Sequence, residues 1–437
     1  MNTSRIIRDV VHSDILFPAK YFEIVDSSEF QRLNRIKQLS CEYLVFPGAT
    51  HTRLSHSIGC YFVMEKLIDH FSQVLQEMGY EVRPEERELA LCAALLHDIG
   101  HGPFSHTFEN IFPQKSHEQW TVDILSDENT QVHRTLVRNF GRDFVPALTE
   151  LISKDYAAQQ EDGIFSVIAT LVSSQVDADR MDYLLRDSYF TSVTNGNYDL
   201  NRLIRSLGVE KGEGGRFTIF IHEKFMATLE EYLLARYYMH KEVYQHSVKK
   251  QMEGILKKIF QRAGELHRKG EDLYVHPVIG KLLRGENIST AEYLQLDDNS
   301  FVYHIGLWKE SEDEILRFLC RAFLDRNKFE KLEGRGSASE HEENLKKKLN
   351  KAMRAGNKSG IERLEEEYFC LKTESCVRLY VNTKENIWVK CRDGRLTDLA
   401  ERSAIINAHS ISTPFENEKR IYFSRELFEK IYGISLE

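Results

Sequence analysis

Apolar residues recur at the three- and four-residue spacing of amphipathic helices along most of the chain. Residues 27–39 keep this period behind a serine cap, and residues 54–71 keep it with His56 on the apolar face. Residues 87–97 are apolar on nearly every side, which is typical of a central helix. The pattern therefore predicts a mainly α-helical fold in which His56 points inward.

The central helix is expected to end in titratable residues. Its apolar run closes with His97 and Asp98, and Gly100 stops the helix. Burying such groups is costly unless they have partners, so this helix end predicts a metal or substrate site. Ser116 opens a capping-box sequence, which predicts another helix with His117 in its first turn.

Residues 164–187 predict a further helix whose inward stripe changes from apolar to acidic along its length. The stripe consists of Val172, Val176, Asp179, Tyr183 and Asp187. Residues 208–221 predict a β-hairpin, because a glycine-rich turn precedes an alternating strand.

The chain changes character near residue 333, where a charged helical stretch begins. The tail beyond it mixes short strands with helices. We therefore expect a helical core over residues 1–330 and a smaller α+β region over residues 331–437 that serves as an interface or regulatory element.

Composition argues against several classes of binding protein and of metal site. The net charge of −9 argues against general binding to nucleic acid or to anionic membranes, although a local basic pocket remains compatible with it. The seven cysteines are scattered without a C-x-x-C pair, which argues for a reducing compartment and against a cysteine-ligated zinc site. With no apolar run of about 18 residues, a cytoplasmic protein is expected.

The candidate chemistry lies in a joint pattern of histidines and carboxylates. For any single histidine, an ordinary structural role is the simpler interpretation. Together, inward His56, the His97-Asp98 pair and inward Asp179 supply two imidazoles and two carboxylates. Such a mixed set suits one divalent transition metal (Mn, Fe, Co, Ni or Zn) with open positions for water and substrate oxygens.

These residues form the H…HD…D pattern, which resembles the HD superfamily of metal-dependent phosphohydrolases. A longer set of segments, over roughly residues 1–330, is similar to its deoxynucleoside triphosphate (dNTP) triphosphohydrolase branch. In chain order these segments are QLSCEYLVFPGATHTRLSHSIG, LLHDIGHGPFSHTFE, SHEQ, DADRMDYLLRDSYFTSV and YYMHKEVYQH. The resemblance implies the helical bundle of an HD domain.

The resemblance also implies a reaction and its catalytic residues. Water would attack the α-phosphorus of a dNTP, releasing a deoxynucleoside and inorganic triphosphate, with a metal on the four residues above and additional Mg on the nucleotide. His117, oriented by Glu109, matches the family's catalytic pair, although aspartate is more often found at the second position. His101 and His106 would approach the α-phosphate and the 5′-oxygen.

Substrate contacts follow from the same resemblance. The positions that match phosphate contacts are Arg53, Arg180 and Arg236. Gln38 and Asp187 match contacts to the sugar 3′-hydroxyl, and the Tyr183 ring would exclude a 2′-hydroxyl. The positions that would line the base are Leu39, Tyr244 and Gln245.

The resemblance further implies a homo-oligomer, dimer or tetramer, with effector nucleotides at subunit interfaces. Asp26 and Gln31 match two effector-binding positions, but Asn34 stands where the family has arginine. Asparagine lacks the guanidinium fork that suits guanine. We therefore expect either a different effector nucleotide or none.

Two other functions remain open: an HD phosphodiesterase or nucleotidase acting on another phosphate ester, and a dNTP sensor without turnover. The number of arginines near the motifs exceeds what a monophosphate needs, which favours a triphosphate substrate. An intact His117 and Glu109 favour turnover. As a dNTPase, the protein would serve housekeeping of the nucleotide pool or antiviral defence.

Overall fold

The structure is a computed structural model that describes residues 4–153, 163–212, 215–332, 338–355, 367–377, 386–406 and 416–435. The described α-helices are, in chain order, α1 (Ala19–Val25), α2 (Ser28–Arg32), α3 (Arg53–Glu77), α4 (Pro84–Leu96), α5 (His106–Ile111), α6 (His117–Ser126), α7 (Gln131–Phe140), α8 (Phe144–Ser153), α9 (Gly163–Val172), α10 (Ala178–Thr191), α11 (Leu200–Ser206), α12 (Met226–Met239), α13 (Ser247–Lys269), α14 (Pro277–Leu283), α15 (Thr290–Tyr293), α16 (Asp298–Trp308), α17 (Glu314–Leu324), α18 (Ala338–Ala355), α19 (Leu399–Arg402) and α20 (Arg425–Tyr432). A π-helix spans His240–Tyr244, and 3₁₀ helices span Leu33–Arg35, Ser40–Leu44, Thr194–Gly196 and Glu223–Phe225.

The described strands form three small sheets. They are β1 (Arg5–Asp9), β2 (Ser13–Phe17), β3 (Leu207–Lys211), β4 (Phe217–His222), β5 (Glu330–Lys331), β6 (Cys370–Val377), β7 (Trp388–Lys390), β8 (Leu396–Asp398) and β9 (Glu416–Phe423). The strand orders are β1-β2, β3-β4-β7-β8 and β5-β9-β6. All pairs are antiparallel except β4 with β7. The predicted fold class, mainly α with a β-hairpin and an α+β C-terminal region, is confirmed.

The predicted hairpin over residues 208–221 forms as β3 and β4, with Leu207 opposite Ile221. Two predicted helices are shorter than expected. The helix predicted over residues 27–39 ends at Arg35, because backbone hydrogen bonds tie the extended chain after it to the segment before α3. The helix predicted over residues 164–187 is interrupted between α9 and α10, where Asp177 caps the second helix.

Tertiary contacts divide the chain into two compact units. The first comprises residues 1–109, 114–243 and 378–415, and the second comprises residues 110–113, 244–377 and 416–437. This division does not follow the predicted boundary near residue 330. The assignment of domains to residues 1–330 and 331–437 stays a prediction.

The core of the first unit is built on α3, which packs against α4 and α10. Helix α4 also packs against α8 and α9, and its last eight residues are all buried, as the unbroken apolar pattern predicts. In the second unit, α13 packs against α14, α17 and β6. No helix in the described part of the chain is both long enough and apolar enough to cross a membrane.

Candidate active site

The four predicted metal ligands meet where α3, the end of α4 and the start of α10 converge in the first unit. Nε2 of His56 lies 3.0 Å from Oδ1 of Asp179 and 3.7 Å from Oδ2 of Asp98. Nε2 of His97 lies 3.3 Å from Oδ1 of Asp98 and 3.7 Å from Oδ1 of Asp179. The structure therefore brings together all four residues in one cluster, and His56 is fully buried as its spacing predicts.

Gly100 shapes the turn that carries this cluster. A Cβ atom at Gly100 would lie 2.2 Å from the carbonyl oxygen of His117 and 2.3 Å from the backbone nitrogen of Thr121. The backbone nitrogen of Gly100 donates to Oγ1 of Thr121 at 3.0 Å, and that hydroxyl donates to the carbonyl of His97 at 3.2 Å. Glycine thus lets the start of α6 lie directly against the end of α4.

The hydrogen bonds of the two imidazoles fit a metal site. Nδ1 of His97 donates to the carbonyl of Ala94 at 2.9 Å, and Nδ1 of His56 lies 2.8 Å from Oδ2 of Asp182. These partners leave each Nε2 facing the carboxylates, as in histidine ligands held by outer partners. Nε2 of His97 is buried and makes no hydrogen bond within the described part of the chain. This donor set fits a divalent cation.

The electrostatics of the cluster favour positive charge between its members. Burial would raise the pKa of Asp98, but the Arg53 guanidinium and the neighbouring imidazoles hold it well below its usual value. Burial would also raise the pKa of Asp179, but the hydrogen bond with His56 and the neighbouring His97 imidazole hold it below its usual value. Both carboxylates are therefore ionised, and a bound cation would satisfy them.

Two residues of the cluster were missed by sequence reasoning. Asp182 is fully buried behind His56, and only its position three residues after Asp179 hinted at a role. Cys60 lies one turn after His56 on α3, with Sγ 3.5 Å from both ring nitrogens. Burial raises the pKa of the Cys60 thiol, which is therefore protonated at neutral pH.

A second cluster adjoins the first and contains the four predicted catalytic residues. The ring of His101 stacks on that of His117 with centroids 4.0 Å apart, and its Nε2 lies 3.3 Å from Oδ1 of Asp98. Oε1 of Glu109 lies 2.9 Å from Nδ1 of His117 and 3.3 Å from Nδ1 of His106. His101 is thus the link between the carboxylates of the first cluster and the His117–Glu109 pair.

Burial and position give these groups different charges. Burial would raise the pKa of Glu109, but hydrogen bonds with His106 and His117 hold it below its usual value, so this carboxylate is ionised. Burial, reinforced by the Arg53 guanidinium, lowers the pKa of His101 well below its usual value, so this imidazole is neutral. The side chain of His106 is 68% exposed and is the most accessible of the four.

The three arginines predicted to contact phosphate all lie in the first unit. Arg53 is buried, pairs with Asp98 and donates from Nε to Oγ of Ser105 at 3.0 Å. Arg180 pairs with the capping residue Asp177. Arg236 donates to the side-chain oxygen of Gln175 at 3.3 Å. Of the three, Arg53 directly adjoins the metal-site carboxylates.

The predicted sugar-binding residues are buried polar groups. Oδ1 of Asp187 lies 2.7 Å from Nε2 of His51, a histidine that sequence reasoning did not single out. Oε1 of Gln38 and Nδ1 of His51 are buried without hydrogen-bond partners within the described residues. The Tyr183 ring lies 6.4 Å from that of His56.

The remaining predicted positions are the base-lining and the effector candidates. Among the base-lining candidates, Leu39 is half-buried in the first unit, whereas Tyr244 and Gln245 belong to the second. The effector candidates lie near the start of the chain: Asp26 pairs with Arg5 at 3.5 Å, Gln31 donates to the carbonyl of Val25 at 2.8 Å, and Asn34 accepts from Thr52 at 3.4 Å. Their roles stay predictions.

Comparison with known families and proteins agrees with this geometry. The HD domain family matches residues 53–162, and the HD associated region matches residues 198–279. The uncharacterized protein YwfO of Bacillus subtilis is 37% identical over 338 residues, which cover 76% of this chain and 73% of that protein. The deoxynucleoside triphosphate triphosphohydrolase SAMHD1 homolog of Dictyostelium discoideum is 29% identical over 331 residues, covering 74% of this chain and 59% of its own length.

Mouse deoxynucleoside triphosphate triphosphohydrolase SAMHD1 is 28% identical over 339 residues, which are 68% of this chain but only 49% of the mouse protein. Among solved structures, a phosphohydrolase from Bacteroides thetaiotaomicron superimposes with a TM-score of 0.79 at 28% identity. The superposition covers 97% of this chain and all of that one. The similarity to this phosphohydrolase therefore extends over the second unit as well as the first.

Proposed function

The chain belongs to the HD-domain family of phosphohydrolases, and from this premise we propose that it is a metal-dependent dNTP triphosphohydrolase. One observation carries the proposal: His101 joins the metal-site carboxylate of Asp98 to the His117–Glu109 pair in a continuous set of side chains. Relatives named as dNTP triphosphohydrolases support the choice of substrate. The products would be a deoxynucleoside and inorganic triphosphate.

The proposed metal ligands are His56, His97, Asp98 and Asp179. Ligand atoms of His56, His97 and Asp179, together with Sγ of Cys60, lie within 4.8 Å of one another, and Asp98 adjoins both imidazoles. A divalent ion bound there would supply a Lewis acid that neutralises phosphate charge and activates water. The chain's own residues supply the rest of the site. Arg53 places a guanidinium beside Asp98. There it would stabilise the negative charge that develops on the α-phosphate in the transition state.

The leaving group of this reaction is the 5′-oxygen of the deoxynucleoside, and it needs a proton. Glu109 accepts from Nδ1–H of His117 and fixes the orientation of that imidazole. Nε2 of His117 is then the atom that would hold and deliver the proton to the 5′-oxygen. The neutral ring of His101, stacked against His117, keeps this proton donor beside the metal-site carboxylates without adding a competing positive charge.

Sugar selection would depend on the Tyr183 ring and on a group of buried polar side chains. The Tyr183 ring would occupy the space that a ribose 2′-hydroxyl needs, so ribonucleotides would be rejected by steric exclusion. The 3′-hydroxyl would satisfy buried polar atoms of Gln38 and the His51–Asp187 pair. The enzyme would therefore act on deoxyribonucleotides with an intact 3′-hydroxyl.

A product analysis tests the proposal. The purified protein is incubated with each dNTP and Mn²⁺ or Mg²⁺, and the phosphate products are separated by anion exchange. Free deoxynucleoside and triphosphate are expected, whereas diphosphate or monophosphate would indicate another phosphoesterase and binding without products would indicate a sensor. The His97→Ala variant should lose bound metal and turnover together, and His133→Ala, a half-buried histidine outside both clusters, should retain both.

Sugar selection has its own test. Tyr183→Ala should allow hydrolysis of GTP and the other ribonucleoside triphosphates while leaving bound metal unchanged. An unchanged rejection of ribonucleotides by this variant would contradict the role given to the tyrosine ring.

A further inference from the structure

A buried network of charged residues lies behind His56, on the side away from the proposed metal. Oδ2 of Asp182 lies 2.8 Å from Nδ1 of His56, and Oδ1 of the same carboxylate lies 2.6 Å from Nε2 of His12. We propose that Asp182, held by His12, is the positioning residue that fixes the tautomer and orientation of His56 for metal binding. The inference rests on the proposed function only in taking His56 as a metal ligand.

The network leaves Asp182 little freedom to move. The Arg186 guanidinium donates to both of its oxygens, from Nε at 2.9 Å and from Nη2 at 3.0 Å. Arg186 also reaches Asp9, with Nη1 2.8 Å from Oδ2. The side chains of Asp182, Arg186 and His56 are fully buried, and that of His12 is only 3% exposed.

The charges around Asp182 determine which nitrogen of His56 carries a hydrogen. The single guanidinium of Arg186 is shared between Asp9 and Asp182, so two carboxylates face one fixed cation. An ionised carboxylate is an acceptor only, and therefore Nδ1 of His56 must carry the hydrogen. In the neutral imidazole that metal binding requires, Nε2 then keeps its lone pair for the ion, and the anion behind the ring makes that nitrogen a stronger donor to the metal.

Gly59 on α3 is shaped for this contact. A Cβ atom at Gly59 would lie 1.9 Å from Oδ1 of Asp182 and 2.3 Å from Nη2 of Arg186. Alanine is the better helix former in the middle of α3, so the need for glycine comes from the approach of α10 rather than from the helix itself. Glycine at this position makes α3 less stable than alanine would, but it allows the Asp182 carboxylate to lie against His56.

His12 connects this network to the hairpin of β1 and β2. It lies in the turn between the two strands, where Oδ1 of Asp9 accepts from the backbone nitrogens of Val11 and His12 at 2.9 Å each. The His12 ring lies against that of Phe62, with centroids 4.7 Å apart. The hairpin therefore supplies the side chain that holds Oδ1 of Asp182. In this inference the metal site depends on a segment more than 40 residues before His56 in the chain.

Metal affinity is the direct readout. Wild type and variants are stripped with a chelator, their folding is checked by circular dichroism, and Mn²⁺ and Zn²⁺ affinities are measured by competition with a chromogenic chelator. Asp182→Asn keeps the shape but can donate to Nδ1, which moves the His56 proton to Nε2, so a loss of about 10- to 100-fold in affinity is expected. Asp14→Asn, an exposed carboxylate on β2, is the matched control and should bind like wild type.

His12 and Gly59 supply independent variants. His12→Leu removes the donor and should weaken metal binding, whereas His12→Gln places an amide donor near the position of Nε2 and should restore it. Gly59→Ala should weaken binding by displacing Asp182, and it keeps the test decisive if Asp182→Asn does not fold. Folded Asp182→Asn and His12→Leu proteins with wild-type metal affinity would overturn the inference.

The outcomes separate this inference from the proposed function. If the variants lose metal affinity while wild type releases no triphosphate from any dNTP, the positioning role holds and the assigned reaction fails. If wild type hydrolyses dNTPs and the variants bind metal normally, the reaction holds and the positioning role fails.

Discussion

Oε1 of Glu109 lies 2.9 Å from Nδ1 of His117, and the same oxygen lies 3.3 Å from Nδ1 of His106. One carboxylate thus faces two imidazoles, and hydrogen bonds with both hold its pKa below its usual value despite burial. Its contact with Nδ1 fixes the orientation of the His117 ring. In the proposed reaction, this pair would supply the proton and the first cluster would bind the metal.

The Glu109→Gln variant should therefore lower kcat by roughly 10- to 100-fold, because a neutral amide makes a weaker hydrogen bond to His117 than a carboxylate does and holds that imidazole less firmly. Metal content should remain that of wild type. Steady-state hydrolysis of dNTPs and metal analysis of the same preparation provide the measurements. Glu128→Gln, an exposed glutamate, should leave both unchanged, and a fully active Glu109→Gln enzyme would contradict the assigned role.

The close approach at Gly100 predicts a second effect. Gly100→Ala would force Cβ into the backbone of α6, so His117 and His97 should separate, activity should fall, and the free energy of unfolding should drop by about 1 to 3 kcal/mol. Gly306→Ala in α16 is the matched control, because no atom of the described residues lies within 4 Å of its Cβ position. There alanine should be neutral or stabilise the protein by up to about 1 kcal/mol. Urea unfolding and dNTP hydrolysis of the two variants make the comparison.

Much of the site could be predicted because its residues lie on elements with a clear period. The apolar spacing of α3 places His56 inward, and the apolar run of α4 places His97 and Asp98 at a buried helix end. The break before α10 was not visible in the pattern, because residues 164–187 are almost uniformly compatible with helix. Asp179 nevertheless reaches the cluster from the first turn of α10, capped by Asp177.

The network of Asp182, Gly59 and His12 behind His56 could not be predicted, since it depends on contacts between segments that are distant in the sequence. Asp182 and Asp179 are three residues apart on one helix, and sequence alone does not show which of them faces the metal and which lies behind His56. That choice is made where Gly59 lets α10 approach α3 and where His12 arrives from a hairpin absent from the predicted elements. The roles of Gly59 and His12 are therefore visible only from their tertiary contacts.

His51 leads to a third prediction, about the sugar. Its Nε2 lies 2.7 Å from Oδ1 of Asp187, and its ring stacks on Phe190 with centroids 4.4 Å apart. His51→Ala should free the Asp187 carboxylate and lower kcat/KM for dNTPs by roughly 10-fold, while 3′-deoxygenated analogues, which lack the hydroxyl at issue, should lose little. Measuring both substrates with wild type and variant gives the test. An equal loss for both would show that His51 acts on the fold rather than on the 3′-hydroxyl.

The fourth prediction concerns pH and a lysine of the second unit. Lys258 on α13 is buried, and its ammonium donates to the carbonyl of Glu367. Burial lowers the pKa of Lys258 to about 8. In the unfolded chain this pKa returns to about 10.4, so between these values the unfolded state binds the extra proton and stability rises with pH.

Below about pH 8 both states are protonated, and the folded protein carries the full cost of the buried charge, up to about 3 kcal/mol. Lys258→Met removes this titration. Its stability relative to wild type should therefore be greatest at pH 7 and should decline by as much as about 3 kcal/mol as the pH rises toward 10. Lys257→Met, an exposed neighbour on the same helix, should show no such trend. Urea unfolding of the three proteins at pH 7, 8, 9 and 10 measures the difference, and a constant offset between Lys258→Met and wild type would show that Lys258 does not change its protonation on unfolding.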